Sequence, residues 1–354
     1  MRACAWALSL WSAPLVRLLL LLLLGLLASL AVPEIAVRVL DVSPRPLAPL
    51  ELSSYRLSDD PVLRYEYQPG LRASDAHFDA LHEGFTTNSL GFRDDEFPIA
   101  KPAGEVRILA LGDSTTAGNG VPELSNTWPK RLERRFAESG RPELRVLNLG
   151  VGGYQPLQEA RLLELRGLAF EPDLVLVLVS LNDLDWEADG GVGRMLEQAQ
   201  APGAPASSSF FALLTRVSRL AFVVAHRARA LGLELPLPDA ATTVAHVREL
   251  GSPLAEGLTL LARLQREHGV KVVVALLPAF AQRFESYAHA ALHERMRASA
   301  ARLPTLAWID LLRDFRAAGV DARSLSMDGL HPNDAGTAVL AEILYRHLSE
   351  RALP

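Results

Sequence analysis

Four short polar clusters, far apart in the chain, carry residue types that could perform acyl chemistry. Gly112-Asp113-Ser114-Thr115 offers a hydroxyl, and Asn148-Leu149-Gly150-Val151-Gly152-Gly153 a glycine-rich turn. Ser180-Leu181-Asn182-Asp183 offers a carboxamide, and Asp328-Gly329-Leu330-His331-Pro332 an acid three residues before an imidazole. A serine hydroxyl is a poor nucleophile until an adjacent base takes its proton. Here Ser114 is the candidate nucleophile and His331 the candidate base, which would return the proton to the leaving group. Asp328 would hold the imidazole tautomer and stabilise the imidazolium. The Ser114 and Gly153 backbone N–H groups, with the Asn182 side-chain amide, would receive the oxyanion. Each residue has a plainer role open to it. Asp113 and Ser114 can cap a helix, as can Asn182 and Asp183, the glycines can serve turns alone, and His331 can sit on a surface loop. Their order, and their common placement at strand ends, favours one site.

That placement comes from the apolar pattern. Residues 106–111 (V-R-I-L-A-L) form a short run stopped by Gly112, as in a buried strand that turns straight into a helix. Open α/β sheets bind ligands at this carboxyl edge, where helix N–H groups favour negative charge. Further strands are expected at 144–149, at 174–179 (L-V-L-V-L-V), at 270–277 and at 306–310. Helical spacing occupies the intervals. Residues 128–139 place Trp128, Leu132 and Phe136 on one face, and further helices are expected at about 155–168, 254–268, 286–303 and 335–349. Strand–helix alternation predicts an α/β fold, a parallel sheet with helices on both faces.

The flanks read differently. Residues 1–33 have the make-up of an export segment, with Arg2 and Arg17 ahead of a leucine run that continues to Val32. Two readings stand: a signal peptide cleaved after Ser29-Leu30-Ala31, or an uncleaved membrane anchor with its cytoplasmic end at the arginines. Residues 34–105 read as a proline-containing linker followed by an irregular extension with short strands, ordered by Tyr55, Tyr65, Tyr67, Phe78, Phe85 and Phe92. Within it, Thr87-Asn88-Ser89-Leu90-Gly91-Phe92-Arg93-Asp94 is turn-like, with Gly91 left-handed; Arg93 is open to a binding role, but a surface ion pair with Asp94, Asp95 or Glu96 is the favoured reading. Residues 106–354 form the main domain, interrupted at about 184–250 by an insertion containing a helix over 210–231. That helix would act as a lid, a partner surface or a membrane-lying element, or simply pack on the domain.

Composition excludes some classes. The net charge of −5 is spread over mixed acidic and basic residues, with no basic block for nucleic acid. Cys4 is the sole cysteine, so the chain beyond the export segment has neither a disulfide nor a thiolate metal site.

The four clusters, in this order, resemble the blocks of the SGNH-hydrolase family, also called the GDSL esterase/lipase superfamily. The likeness covers about residues 106–350. It implies a three-layer α/β/α flavodoxin-like fold, a five-stranded parallel sheet of order 2-1-3-4-5, and no metal or organic cofactor. It assigns the nucleophile to Ser114, the oxyanion donors to Ser114, Gly153 and Asn182, and the acid–base pair to Asp328 and His331. Thr115 stands where leucine is usual, and Ser180 where many members have glycine, which would narrow the oxyanion pocket. The amino-terminal segment and N-S-L-G-F-R-D resemble a bacterial envelope-anchored type. The expectation is therefore a serine esterase exported to the cell envelope, acting on a small-molecule, lipid or polysaccharide ester. Its alternatives are an O-acyltransferase or deacetylase on envelope polysaccharide, and a non-catalytic binding module of the same fold.

Overall fold

The structure is a computed structural model that describes residues 54–72, 84–184, 252–280, 283–287 and 289–350, with positions 20, 21, 25, 29 and 31–36. The chain divides into two compact units, Met1–Pro46 with Pro205–Ala240, and Leu47–Ala204 with Ala241–Pro354. The second unit holds the sheet. Most of the apolar amino-terminal run, most of the 184–250 insertion and the expected 210–231 helix lie outside the described residues. Among the described residues no helix is long and apolar enough to cross a membrane.

In chain order the larger unit starts with a two-stranded antiparallel hairpin, β1 (Tyr55–Leu57) and β2 (Tyr65–Tyr67). Then come β3 (Val106–Gly112), the short α1 (Ser114–Ala117), α2 (Trp128–Glu138), β4 (Leu144–Asn148), α3 (Pro156–Leu165) and β5 (Leu174–Val179). After the insertion follow α4 (Ser252–His268), β6 (Lys271–Leu276), α5 (Ala290–Ala301), β7 (Ala307–Asp310), α6 (Leu311–Ala317) and α7 (Asp334–Glu350). The five parallel strands lie in the order β4-β3-β5-β6-β7, the expected 2-1-3-4-5 when counted along the chain.

Alternation along the strands produces the layers, because successive side chains leave a strand on opposite faces. Leu109, Leu111, Val175, Val177 and Val274 pack on one side with Leu162 and Leu163 of α3 and Leu258 and Leu261 of α4. Ile108, Ala110, Leu176, Val273 and Ala275 pack on the other side with Trp128, Leu132 and Phe136 of α2, Phe315 of α6 and Leu340 and Leu344 of α7. A strand buried on both faces must be apolar at every position, which is why β5 reads L-V-L-V-L-V.

Two helix boundaries differ from expectation. α3 ends at Leu165, because Arg166 leaves helical geometry (φ −132°) and a 3₁₀ turn, Gly167–Phe170, follows. α5 begins at Ala290, not 286, because Tyr287 is extended and its hydroxyl accepts the Ala279 N–H.

Residues 54–72 and 84–105 share the sheet's own core. Tyr55, Tyr65, Tyr67, Phe85, Phe92 and Phe97 belong to the same apolar cluster as Leu109, Leu149 and Val177. Gly91 is left-handed (φ +83°), as its turn requires. Arg93 corrects the sequence reading: it makes no surface ion pair and is buried, 1% exposed, with its guanidinium over the Phe85 ring. Asp94 is buried too, paired with Lys130, and its other oxygen accepts the Asn148 N–H at 2.8 Å.

Candidate active site

The elbow that carries Ser114 begins where β3 runs out of sheet. Asp113 caps α1, its carboxylate accepting the Thr115 N–H at 2.8 Å, so the capping role expected for Asp113 is real. Ser114, one residue on, is turned elsewhere. The other Asp113 oxygen accepts the Ser180 hydroxyl at 3.1 Å, and the Ser180 N–H donates to Asp183 at 2.7 Å. Ser180 thus ties the elbow to the turn after β5.

The far end of α1 is held from below. Arg93 donates to the Ala117 and Pro122 carbonyls at 3.3 and 3.1 Å, and also to those of Gly118 and Val121. One buried cation thus gathers the last carbonyl of the one-turn helix, that of its cap Gly118, and two from the turn that follows. Burial pulls the guanidinium down to about 10, against the opposing charge of Glu123.

His331 comes from the loop between a 3₁₀ turn, Ala322–Leu325, and α7. Asp328 organises this loop. One of its oxygens accepts the Leu330 and His331 N–H groups at 2.9 and 2.8 Å, while the other meets His331 Nδ1 at 2.6 Å. Ser326 Oγ donates to the His331 carbonyl at 2.7 Å and accepts the Gly329 N–H at 2.9 Å. Partial burial works to raise the Asp328 carboxyl, but the hydrogen bonds from His331 and Leu330 and the imidazole charge outweigh it and bring it down to about 2. An ionised Asp328 only accepts, so the imidazole proton sits on Nδ1 and Nε2 is left as the acceptor. Nε2 lies 2.8 Å from Ser114 Oγ. The structure therefore brings Ser114, His331 and Asp328 into one line of hydrogen bonds.

The expected oxyanion donors are only partly described. Ser114 follows β3 directly after Asp113 and Gly153 lies in the turn five residues past the end of β4, and neither backbone N–H has a protein partner among the described residues. Gly150 lets the second turn touch the elbow, since a Cβ there would stand 2.3 Å from the Ala117 nitrogen. Asn148 shapes that turn, its side chain accepting the Gly150 N–H at 3.0 Å. Asn182 lies in the 3₁₀ turn Leu181–Leu184 after β5, and its side chain lies outside the described residues.

Beneath the site is an acidic group that sequence reasoning missed. Glu159 of α3 is 1% exposed, and neither oxygen has a hydrogen-bond partner among the described residues. Burial, then the charges of Asp183 and Asp113, push it well above the usual carboxylate range. Asp183 is raised in the same way, by burial first and Asp113 second. An acid amid an apolar helix pattern was the one signal that could have pointed to it.

A line of hydrogen bonds from a strand-end serine through histidine to an ionised acid is the geometry of acyl transfer. Residues 110–339, more than half the chain, match the model of the GDSL-like lipase/acylhydrolase family. The chain belongs to that family. As a GDSL-like acylhydrolase it acts on ester bonds. Similar solved structures include the lipase/acylhydrolase from Enterococcus faecalis, 18% identical over 70% of this chain and 96% of that one, with a TM-score of 0.42. A two-domain esterase active on acetylated mannans is 18% identical over 70% of this chain, with a TM-score of 0.39. This chain spans half of that esterase's length. No curated protein matches the chain.

Proposed function

We propose that this acylhydrolase is a serine esterase of the cell envelope that cleaves acyl esters through Ser114, His331 and Asp328. The observation that carries the reading is the Ser114–His331 contact of 2.8 Å, with Asp328 at 2.6 Å on the other side of the ring. His331 Nε2 takes the Ser114 proton as Oγ attacks the ester carbonyl. The tetrahedral oxyanion is received by the Ser114 and Gly153 N–H groups and the Asn182 amide. Collapse expels the alcohol, which takes the proton from His331. Water, deprotonated by the same imidazole, then releases the acid and frees Ser114. The envelope location rests on Arg2 and Arg17 ahead of the leucine-rich run up to Val32.

The test is turnover of p-nitrophenyl acetate and labelling by a fluorophosphonate, on the full chain and on Ser114→Ala. The wild type is expected to label in the membrane fraction and to hydrolyse the ester. Ser114→Ala is expected to lose both by at least about a thousandfold with an unchanged melting temperature. Survival of either activity in Ser114→Ala sinks the assignment of the nucleophile. Labelling confined to the soluble fraction sinks the anchor. Labelling without turnover points to an acyl transferase that lacks its acceptor.

A further inference from the structure

We infer that Tyr65, on the hairpin that precedes the main domain, is a positioning residue for the oxyanion site. The inference rests on the reading that Gly153 N–H receives the oxyanion. The Gly152 carbonyl and the Gly153 N–H are two ends of one planar trans peptide, so whatever holds the carbonyl also aims the N–H. Tyr65 Oη donates to that carbonyl at 3.1 Å. Tyr67 Oη accepts the Gly152 N–H at 2.9 Å, which fixes the preceding peptide plane as well. The hairpin thus grips Gly152 on both sides of its Cα.

The grip is built for this contact. Tyr65, Tyr67 and Tyr154 are buried, and the Tyr154 hydroxyl donates to the Tyr65 carbonyl. Tyr55 stacks on Tyr67 at 4.7 Å and meets Tyr65 edge-on at 5.5 Å. A Cβ on Gly152 would lie 2.6 Å from Tyr55 Oη and 2.8 Å from Tyr67 Oη, so only glycine fits between the hydroxyls.

The need for it follows from the sequence. A Gly-Gly pair is the segment most able to flip its peptide, because neither residue resists positive φ. A flip at Gly152–Gly153 would turn a carbonyl towards the oxyanion, where a donor is required. A hydroxyl bonded to the Gly152 oxygen opposes the flip. It also polarises the amide, which makes the Gly153 N–H a stronger donor.

The experiment compares the full-length wild type with Tyr65→Phe, Tyr67→Phe and Ser114→Ala, by steady-state hydrolysis of p-nitrophenyl acetate and by the rate of fluorophosphonate labelling. Losing an oxyanion donor costs about a hundred- to a thousandfold, so loosening one should cost about ten- to a hundredfold. Tyr65→Phe is expected to lower kcat by that factor with KM within about twofold, and to slow labelling in parallel, because the phosphoryl oxygen uses the same donors. Tyr67→Phe is expected to show the same KM-preserving pattern with a smaller fall. A folded Tyr65→Phe with wild-type kcat and labelling rate overturns the inference while leaving the serine reading intact. If Tyr65→Phe does not fold, Tyr67→Phe decides in its place, and an unchanged kcat there overturns the inference. Wild-type labelling of Ser114→Ala removes the reading itself and the inference with it.

Discussion

Ser114 and His331 meet across 217 positions of chain, and the loops behind them are held by different kinds of contact. The histidine loop closes largely on itself. Asp328 binds the N–H groups two and three residues ahead, Ser326 binds the His331 carbonyl, and the Asn333 N–H reaches back to Leu325. Its acid is 37% exposed and held ionised by donors. The serine elbow closes a single turn on itself, through Asp113 and the Ser114 carbonyl, and is otherwise held by strangers. Its carbonyls are bound by Arg93, its capping acid by Ser180, and the strand beside it by Asp94. The acids beneath it, Asp183 and Glu159, are buried and held towards the neutral form. A short loop can carry its own geometry when one ionised acid organises it. A one-turn helix closes too few bonds of its own, and adds to them from segments more than twenty residues away.

Asp328→Asn breaks the self-contained side and should have the largest effect. Such a substitution costs about 10⁴-fold in kcat in a serine-protease triad, and a loss of that order is expected here, with the fold retained. Because Asp328 is depressed, its contribution is complete above the ordinary carboxylate pKa and fades only as pH falls through about 2. Asp328 itself should therefore contribute no titration to the wild-type pH–rate profile above about pH 5. A loss under tenfold would make Asp328 a loop-former only.

Arg93→Lys tests the borrowed rigidity. Lysine keeps the charge but cannot serve several carbonyls with a planar fork, and hydrogen bonds to charged groups contribute about 1.5–3 kcal/mol each. A loss of about 2–4 kcal/mol in urea unfolding is expected, with a fall in kcat as the elbow loosens. Stability within about 0.5 kcal/mol of wild type would show that the elbow holds itself.

Glu159→Gln is the mildest probe. The folded pKa of Glu159 is raised, so the folded chain keeps a proton that the unfolded chain sheds above about 4.3. Stability from this group is full below that pH and declines as pH rises towards the folded value, by about 1.4 kcal/mol per unit for one proton. The amide holds no such proton. Its melting temperature should fall less than the wild type's between pH 5 and 8, and parallel curves would mean that Glu159 is solvated.

The legible parts were those with local causes. β5 was read to the residue because two-sided burial demands an unbroken apolar run, and the Asp328–His331 spacing was read because three residues suffice to close the turn. Arg93 was misread because a charged residue among acids looks like a surface pair, and only the packed chain shows four carbonyls waiting for it. Tyr65 and Tyr67 were visible as ordered aromatics, but nothing near them in sequence names Gly152 as their partner.

The strands, the family and the four polar clusters on which the proposed chemistry rests were all legible along the chain, because hydrophobic period and short-range turn chemistry act over a few residues. Which remote groups hold the elbow and the glycine turn after β4 follows from packing alone. Those contacts arise from burial, where any unpaired carbonyl or amide must find a partner wherever the fold brings one.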